Sequence, residues 1–147
     1  MTSTTQILRK ARQPASVFVQ KLLMWRNPVL AHPISSRTDE EIDTALTRAG
    51  LARKDLFTPG GAIAQYRLRM ACMLQALGIK VDLAVNEHWA AFKKADGKCS
   101  RCAETGRCHR WLEWGRPTAA PTMFCPNARL FLSIVEEQVE SRARDNM

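Results

Sequence analysis

The amino-acid sequence predicts an all-α fold, namely a small helical domain of about five helices clamped by a four-cysteine metal or cluster site. Apolar residues recur at helical spacing in several segments, and no segment shows the alternation typical of a strand. The hydrophobic fraction of 46% is sufficient for one core. Four of the five cysteines fall within residues 99–125, which is typical of a metal centre rather than of scattered core thiols.

Two parts of unequal length are expected: a basic N-terminal helical arm, residues 1–35, and a helical domain, residues 36–147, that contains the cysteine site. The arm has lysines and arginines but no acidic residue. It either lies on nucleic acid, a membrane surface or a partner, or packs on the core as an ordinary helix. Two stretches of it have apolar spacing compatible with a helix: Thr5–Arg12 and Ser16–Trp25. Asn27-Pro28 and His32-Pro33 then predict a linker.

The next elements have local start and stop signals. Thr38 can cap a helix and Glu41 can reach back to it, which predicts a helix that ends at Gly50 in the left-handed conformation. A short element over 51–57 follows. Apolar residues at helical spacing over 63–77, with a glycine after them, predict the most regular helix. Cys72 on this helix is interpreted as a packed small residue, with a spare ligand or redox thiol as the alternative.

The second half of the chain is expected to contribute three helices. Asp82 can cap a helix that runs to Ala95, where Asp96-Gly97 ends it and leads into a cysteine loop. A short helix follows near 108–114. Pro126 suits the first turn of a last helix, which runs to about residue 144. Two apolar stripes would be buried: Leu83, Val85, Trp89 and Phe92 in one helix, and Leu130, Phe131, Ile134, Val135 and Val139 in the other.

The cysteines have the spacing C-x2-C-x5-C-x16-C, and all four are predicted cofactor and metal ligands: Cys99, Cys102, Cys108 and Cys125. Structural zinc sites usually have two CxxC pairs, whereas this chain has one, and Cys-Pro recurs as the last ligand of ferredoxin-type motifs. The spacing therefore favours a [4Fe-4S] cluster over zinc, with disulfides or free thiols as a third alternative. His109 is expected near the outer side of the site, or as a replacement ligand.

A centre with four thiolates has a net charge of two minus, whether it holds zinc or an oxidised four-iron cluster, and this charge needs compensation. Basic residues interleave the predicted ligands: Lys98, Arg101, Arg107, Arg110 and Arg116. They outnumber the neighbouring acidic residues, Glu104 and Glu113. Trp111, Trp114 and Phe124 are expected to form an apolar shell around the site.

Residues 62–134 resemble a family of small alphaproteobacterial proteins of unknown function. The residues that carry the resemblance are Cys99-x2-Cys102-x5-Cys108, Trp111-Leu112 and Cys125-Pro126-Asn127-Ala128. The resemblance implies a bacterial cytoplasmic protein with a cysteine-based cofactor and implies no activity. The C-x2-C-x5-C run by itself is similar to part of the cluster loop of DNA glycosylases of the endonuclease III type. Residues 37–57 are similar to the end of a small arginine-rich proteobacterial family of unknown function.

The sequence therefore predicts an iron–sulfur protein in electron transfer or in redox or iron sensing. Its net charge of +8 would favour docking of an acidic protein partner. The alternative is a zinc-stabilised interaction module or a nucleic-acid-binding regulator. No enzyme is expected, because no nucleophile–base arrangement or phosphate loop is visible and four cysteines would close the metal to substrate. No apolar run is long enough for a transmembrane segment, and no export signal is visible, so a reducing cytoplasm is expected.

Overall fold

The structure, a computed structural model, describes residues 27–114 and 120–147, so the predicted helices Thr5–Arg12 and Ser16–Trp25 lie outside the described residues. The α-helices in the described residues are α1 (Pro28–Ala31), α2 (Asp39–Ala49), α3 (Gln65–Ala76), α4 (Val81–Glu87), α5 (Trp89–Ser100), α6 (Thr105–Trp114) and α7 (Ala128–Asp145). Two 3₁₀ helices, Arg53–Phe57 and Pro121–Met123, complete the secondary structure there. These ranges contain no strand, so the all-α prediction is confirmed for them, with more helices than the five expected.

Helix α2 begins and ends as predicted. The side chain of Thr38 accepts a hydrogen bond from the backbone N–H of Glu41 at 3.2 Å, and the Glu41 carboxylate accepts one from the Thr38 N–H at 3.2 Å. The helix ends at Gly50, whose φ of 70° lies in the left-handed region that glycine adopts without steric cost. Both signals act within one turn of the chain, and for this reason they could be recognised in the sequence.

The interpretation of Asn27–Pro33 as a linker is wrong. The Asn27 side chain caps α1 by accepting from the Val29 N–H at 3.2 Å, and Pro28 occupies the first turn, where its missing N–H has no cost. Leu30 and Ile34 are fully buried in the core. Burial of these two side chains outweighs the breaks suggested by the prolines. Because residues 1–26 lie outside the described residues, the division between arm and domain remains a prediction.

Helix α3 is central to the fold, since it packs against α5, α6 and the first 3₁₀ helix. Its buried side chains are Arg67, Met70, Ala71, Cys72, Met73 and Leu74. Cys72 is fully buried in the hydrophobic core, which agrees with its interpretation as a packed small residue. An arginine among the fully buried residues of this helix was not expected.

The prediction of a single helix from Asp82 to Ala95 is wrong. The chain forms α4 and α5 instead, with a break at His88, where φ is −123° and ψ is 32°. Leu83, predicted to be buried, is 53% exposed. Helix α5 continues through Asp96-Gly97 to Ser100, and therefore Cys99 lies on a helix and not in a loop.

Tertiary contacts explain why Asp96-Gly97 does not end α5. The Asp96 carboxylate is fully buried and paired with Arg67, so it does not compete for the backbone as an exposed aspartate would. A Cβ at Gly97 would lie 2.6 Å from the Oγ of Ser35. Gly97 is thus needed for close approach between α5 and the segment after α1, and its lack of a side chain does not serve as a stop.

Helix α7 starts later than predicted. Pro126 precedes the N-cap residue Asn127, and the first helical residue is Ala128. The Asn127 side chain does not cap the helix but donates to the carbonyl oxygen of Ala95 at 3.0 Å, which ties α7 to α5. Phe131 and Ile134 are buried as expected, whereas Val139 is 58% exposed. Among the described helices, none has the length and apolar character required to cross a bilayer.

Candidate functional site

The four predicted ligands line one cavity at the junction of α3, α5, α6 and the start of α7. Cys99 lies in the last turn of α5, Cys102 in the turn after it, Cys108 in α6, and Cys125 between the second 3₁₀ helix and α7. The cavity volume is about 30 Å³, which corresponds to room for about two water molecules. A cavity of this size has room for a metal ion and is too small for an organic cofactor, and its walls would have to move apart to hold a four-iron cluster.

The rest of the wall is mainly apolar. Two methionines from α3, Met70 and Met73, and two phenylalanines, Phe124 and Phe131, line the cavity together with the sulfurs. All of these side chains except Phe124 at 8% are exposed by 2% or less. The regular helix predicted over 63–77 therefore contributes its methionine stripe to both the core and the cavity wall.

The sulfurs share the cavity without close grouping. All five cysteines are free thiols. Within the described residues, one set of three potential metal-binding atoms lies within 4.8 Å of one another, and it belongs to Glu87, His88 and Glu137. No three cysteine sulfurs come that close. The four cysteines thus line one cavity, but their sulfurs lie farther apart than the ligands of one small metal ion would.

The surroundings of the sulfurs disfavour bare thiolates. The pKa of Cys99 is raised to about 12, first by burial and then by the charge of Cys108, whereas Arg69 acts in the opposite direction. The pKa of Cys108 is likewise raised to about 12, first by burial and then by Cys125. Four mutually repelling sulfurs in an apolar wall can all be ionised only if a cation among them compensates the charge.

Backbone groups form hydrogen bonds with two of the four sulfurs. The Glu104 N–H donates to the Sγ of Cys102 at 3.3 Å, and the Sγ of Cys99 donates to the carbonyl oxygen of Tyr66 at 3.4 Å. Burial raises the pKa of Cys125, while the nearby backbone N–H groups of Asn127 and Ala128 lower it. Such N–H donors stabilise a thiolate and are typical of the surroundings of bound sulfur ligands.

The cation that lines the cavity is Arg69 of α3, which the sequence prediction did not include. Lys98, Arg101 and Arg110 are exposed, and Arg116 lies outside the described residues. Arg107 points to the second 3₁₀ helix, with its guanidinium 3.5 Å from the carbonyl oxygen of Met123. The sequence signal for Arg69 is its place one turn before Met73, since residues four apart share a helix face.

The expected shell and the expected outer histidine are only partly present. Trp111 is half-buried and its ring centroid lies 6.4 Å from that of Phe124, whereas Trp114 is 80% exposed. His109 does not line the cavity; its Nε2 lies 3.1 Å from a carboxylate oxygen of Glu113 on the same helix. Trp114 therefore belongs to the surface beside the site and not to its apolar shell.

A buried polar network holds the helices that carry the site. Arg67 and Asp96 are both fully buried, with Nε to Oδ1 at 2.7 Å. Arg67 also donates to the carbonyl oxygens of Leu30 and His32. Asp96 accepts from the N–H of Ile34 at 2.9 Å and from the hydroxyl of Tyr66 at 3.2 Å. The network fixes α5 against α1 and α3, just before α5 reaches Cys99.

Comparison with known proteins identifies a family and no activity. Residues 60–137 match a family of unknown function, DUF6455. The match includes α3 and all four cysteines of the cavity, and it covers the residues on which the resemblance over 62–134 is based. Neither a curated protein nor a solved structure gives a significant match. Since the match extends over more than half of the chain, the protein belongs to the DUF6455 family.

Proposed function

We propose that the protein binds a [4Fe-4S] cluster through Cys99, Cys102, Cys108 and Cys125 and has a non-enzymatic role in electron transfer or in redox or iron sensing. The observation that carries the proposal is the shared cavity. Four cysteines from separate elements line one small cavity with an otherwise mainly apolar wall. Free thiols collected in such a place, with backbone N–H donors around them, form the donor set of an iron–sulfur site.

The spacing of the sulfurs supports a cluster over zinc. A zinc ion with Zn–S bonds of about 2.3 Å holds its four sulfurs about 3.8 Å apart in a tetrahedron. No three cysteine sulfurs of this chain lie within 4.8 Å of one another. In a cluster each thiolate binds a different iron atom, so the sulfurs stay farther apart. The four sulfurs would therefore have to move closer together to bind one zinc ion.

The surface beside the cavity suits an acidic protein partner. Lys98, Arg101 and Arg110 are exposed there. Trp114 is 80% exposed and Met123 is 65% exposed. Arginine, tryptophan and methionine are enriched at protein interfaces, and a basic rim attracts an acidic partner. Because the cysteines themselves are half-buried, a partner on this surface would come close to the bound group.

The test is the metal and acid-labile sulfide content, with a visible spectrum, of protein purified without oxygen. We expect about four iron atoms and four sulfides per chain, with broad visible absorption. One zinc per chain without sulfide would replace the cluster by the alternative, a zinc-stabilised interaction module or nucleic-acid-binding regulator. Protein that retains neither metal after anaerobic reconstitution would contradict both.

Single cysteine variants test the ligand set. We expect Cys99→Ala and Cys125→Ala to lose the cofactor and to unfold at lower temperature, since metal-binding energy is folding energy in a domain of this size. The matched control is Cys72→Ala, whose sulfur is fully buried but does not line the cavity. That variant should keep the full cofactor content and lose only about 1 kcal/mol of stability from the small void. Unchanged iron content in Cys99→Ala or Cys125→Ala would contradict the ligand assignment.

A further inference from the structure

We infer that Arg69 is the counter-charge of the group bound by the four cysteines and that its guanidinium sets the reduction potential of that group. The inference rests on the proposed function and adds a residue that does not itself bind the metal. Arg69 belongs to α3, whereas the cysteines belong to α5, α6 and the segments beside them. The charge would therefore be supplied across a helix interface and independently of the cysteine motif.

The position of Arg69 is the first support. The side chain lines the cavity together with all four cysteines. Its charge acts on the sulfurs of both Cys99 and Cys108. Among the described residues it is the one cationic side chain that lines the cavity, since the lysine and arginines of the cysteine segment point elsewhere or are exposed.

The absence of an acceptor for Arg69 among the described residues is the second support. Within residues 27–114 and 120–147, Arg69 makes no ion pair and its side chain makes no hydrogen bond. Three other arginines of the described residues each pair with a carboxylate, namely Arg53, Arg67 and Arg107. Arg69 is only half-exposed, and its guanidinium nitrogens are still reached by water, since no buried side-chain nitrogen of the described residues lacks a partner. A negatively charged group in the cavity would replace this water by a charged acceptor at low dielectric.

The charge balance gives the expected direction. Four thiolates around an oxidised four-iron cluster have a net charge of two minus, and one-electron reduction, here by dithionite, makes it three minus without transfer of a proton. A guanidinium stays protonated throughout the working pH range. In a site of low dielectric it stabilises the more negative state. Arg69 should therefore raise the reduction potential.

The experiment is an anaerobic potentiometric titration of three variants and the parent protein. Arg69→Gln removes the charge, Arg69→Lys keeps it, and Arg110→Gln removes a charge from the exposed surface of α6. We expect Arg69→Gln to reduce at a more negative potential, by at least tenfold in the reduction equilibrium, or about 59 mV for one electron. Arg69→Lys should restore most of the shift, and Arg110→Gln should change the potential little.

The outcomes separate this inference from the proposed function. Equal potentials for Arg69→Gln and Arg110→Gln would overturn the role of Arg69 and leave the cluster in place. If Arg69→Gln folds but does not take up the cluster, uptake by Arg69→Lys supports the counter-charge, and failure of both overturns it. If the parent protein holds zinc, the proposed function fails, and the counter-charge then predicts weaker zinc retention in Arg69→Gln alone. A parent protein without any metal overturns both.

Discussion

Arg67 and Arg69 lie two positions apart on α3 but in opposite situations. Arg67 is fully buried, and the protein itself satisfies its guanidinium through Asp96 and the carbonyl oxygens of Leu30 and His32. Arg69 is half-buried, lines the cysteine cavity and has no acceptor among the described residues. The same helix therefore carries one arginine whose acceptors come from the protein and another for which the described residues provide no acceptor.

The difference indicates which part of the core depends on a ligand. A buried ion pair with additional hydrogen bonds needs no ligand once it has formed, because every polar atom has a partner in the protein. Four thiols that repel one another when ionised, beside a cation with no acceptor among the described residues, become favourable together only when a metal group joins them. We therefore expect the Arg67–Asp96 network to determine the fold with or without cofactor, and the cysteine cavity to depend on its occupant.

The largest effect is expected from Asp96→Ala, which tests the buried Arg67–Asp96 network. The variant leaves the charge of Arg67 buried without its carboxylate, at a cost of about 3–5 kcal/mol in the free energy of unfolding. The control is Asp43→Ala, whose carboxylate is 51% exposed and pairs with Arg53 at 2.8 Å. Such an exposed pair contributes at most about 1 kcal/mol. Urea unfolding of the cofactor-free protein measures both losses. Equal losses in the free energy of unfolding for Asp96→Ala and Asp43→Ala would contradict the comparison.

A smaller effect is expected from Gly97→Ala, which lies between the two regions on α5. The added Cβ would lie 2.6 Å from the Oγ and 2.8 Å from the Cβ of Ser35, so α5 must shift at a cost of about 1–3 kcal/mol. Because the same helix carries Cys99, the shift should also lower the cofactor content. Thermal unfolding and iron analysis measure the two effects.

Two further variants show whether the contact with Ser35 causes the loss of stability and of iron in Gly97→Ala. Ser35→Gly in the same chain should recover both stability and iron content, because it removes the atoms that the new Cβ meets. Gly106→Ala on α6 has nothing within 4 Å of the added Cβ and should be neutral or stabilising by up to about 1 kcal/mol, since alanine is the better helix former. Failure of the double variant to recover would show that Gly97 has another role.

The parts of the fold that the sequence predicts correctly depend on short-range signals. The capping box of Thr38 and Glu41 and the left-handed Gly50 act within a few residues. Asp96-Gly97 has the composition of a helix stop, yet its partners, Arg67 and Ser35, are distant in the chain. Because those contacts form only in the folded protein, they reverse the local preference and continue α5 to the cysteines.

The candidate site also has a part that short-range sequence signals predict and a part that depends on long-range contacts. The cysteine spacing predicts which residues come together, since Cys99 to Cys125 is a short piece of chain and the structure brings all four to one cavity. The charge that faces them could not be predicted from their neighbours, because Arg101 and Arg110 are exposed, Arg107 points to the second 3₁₀ helix, and Arg69 comes from α3. Helical spacing identifies the face on which Arg69 lies but not the element that packs against that face.

The smallest effect is expected from Tyr66→Phe, at the residue that touches both regions. The Tyr66 hydroxyl donates to Asp96 at 3.2 Å, whereas its backbone carbonyl accepts from the Sγ of Cys99 at 3.4 Å. The variant removes only the first contact, and Asp96 keeps Arg67 and the Ile34 N–H. We expect a loss of about 0.5–1.5 kcal/mol with unchanged iron content and reduction potential. A shifted potential would mean that the network acts on the cysteine cavity through Tyr66, and the two regions would then have to be treated as one.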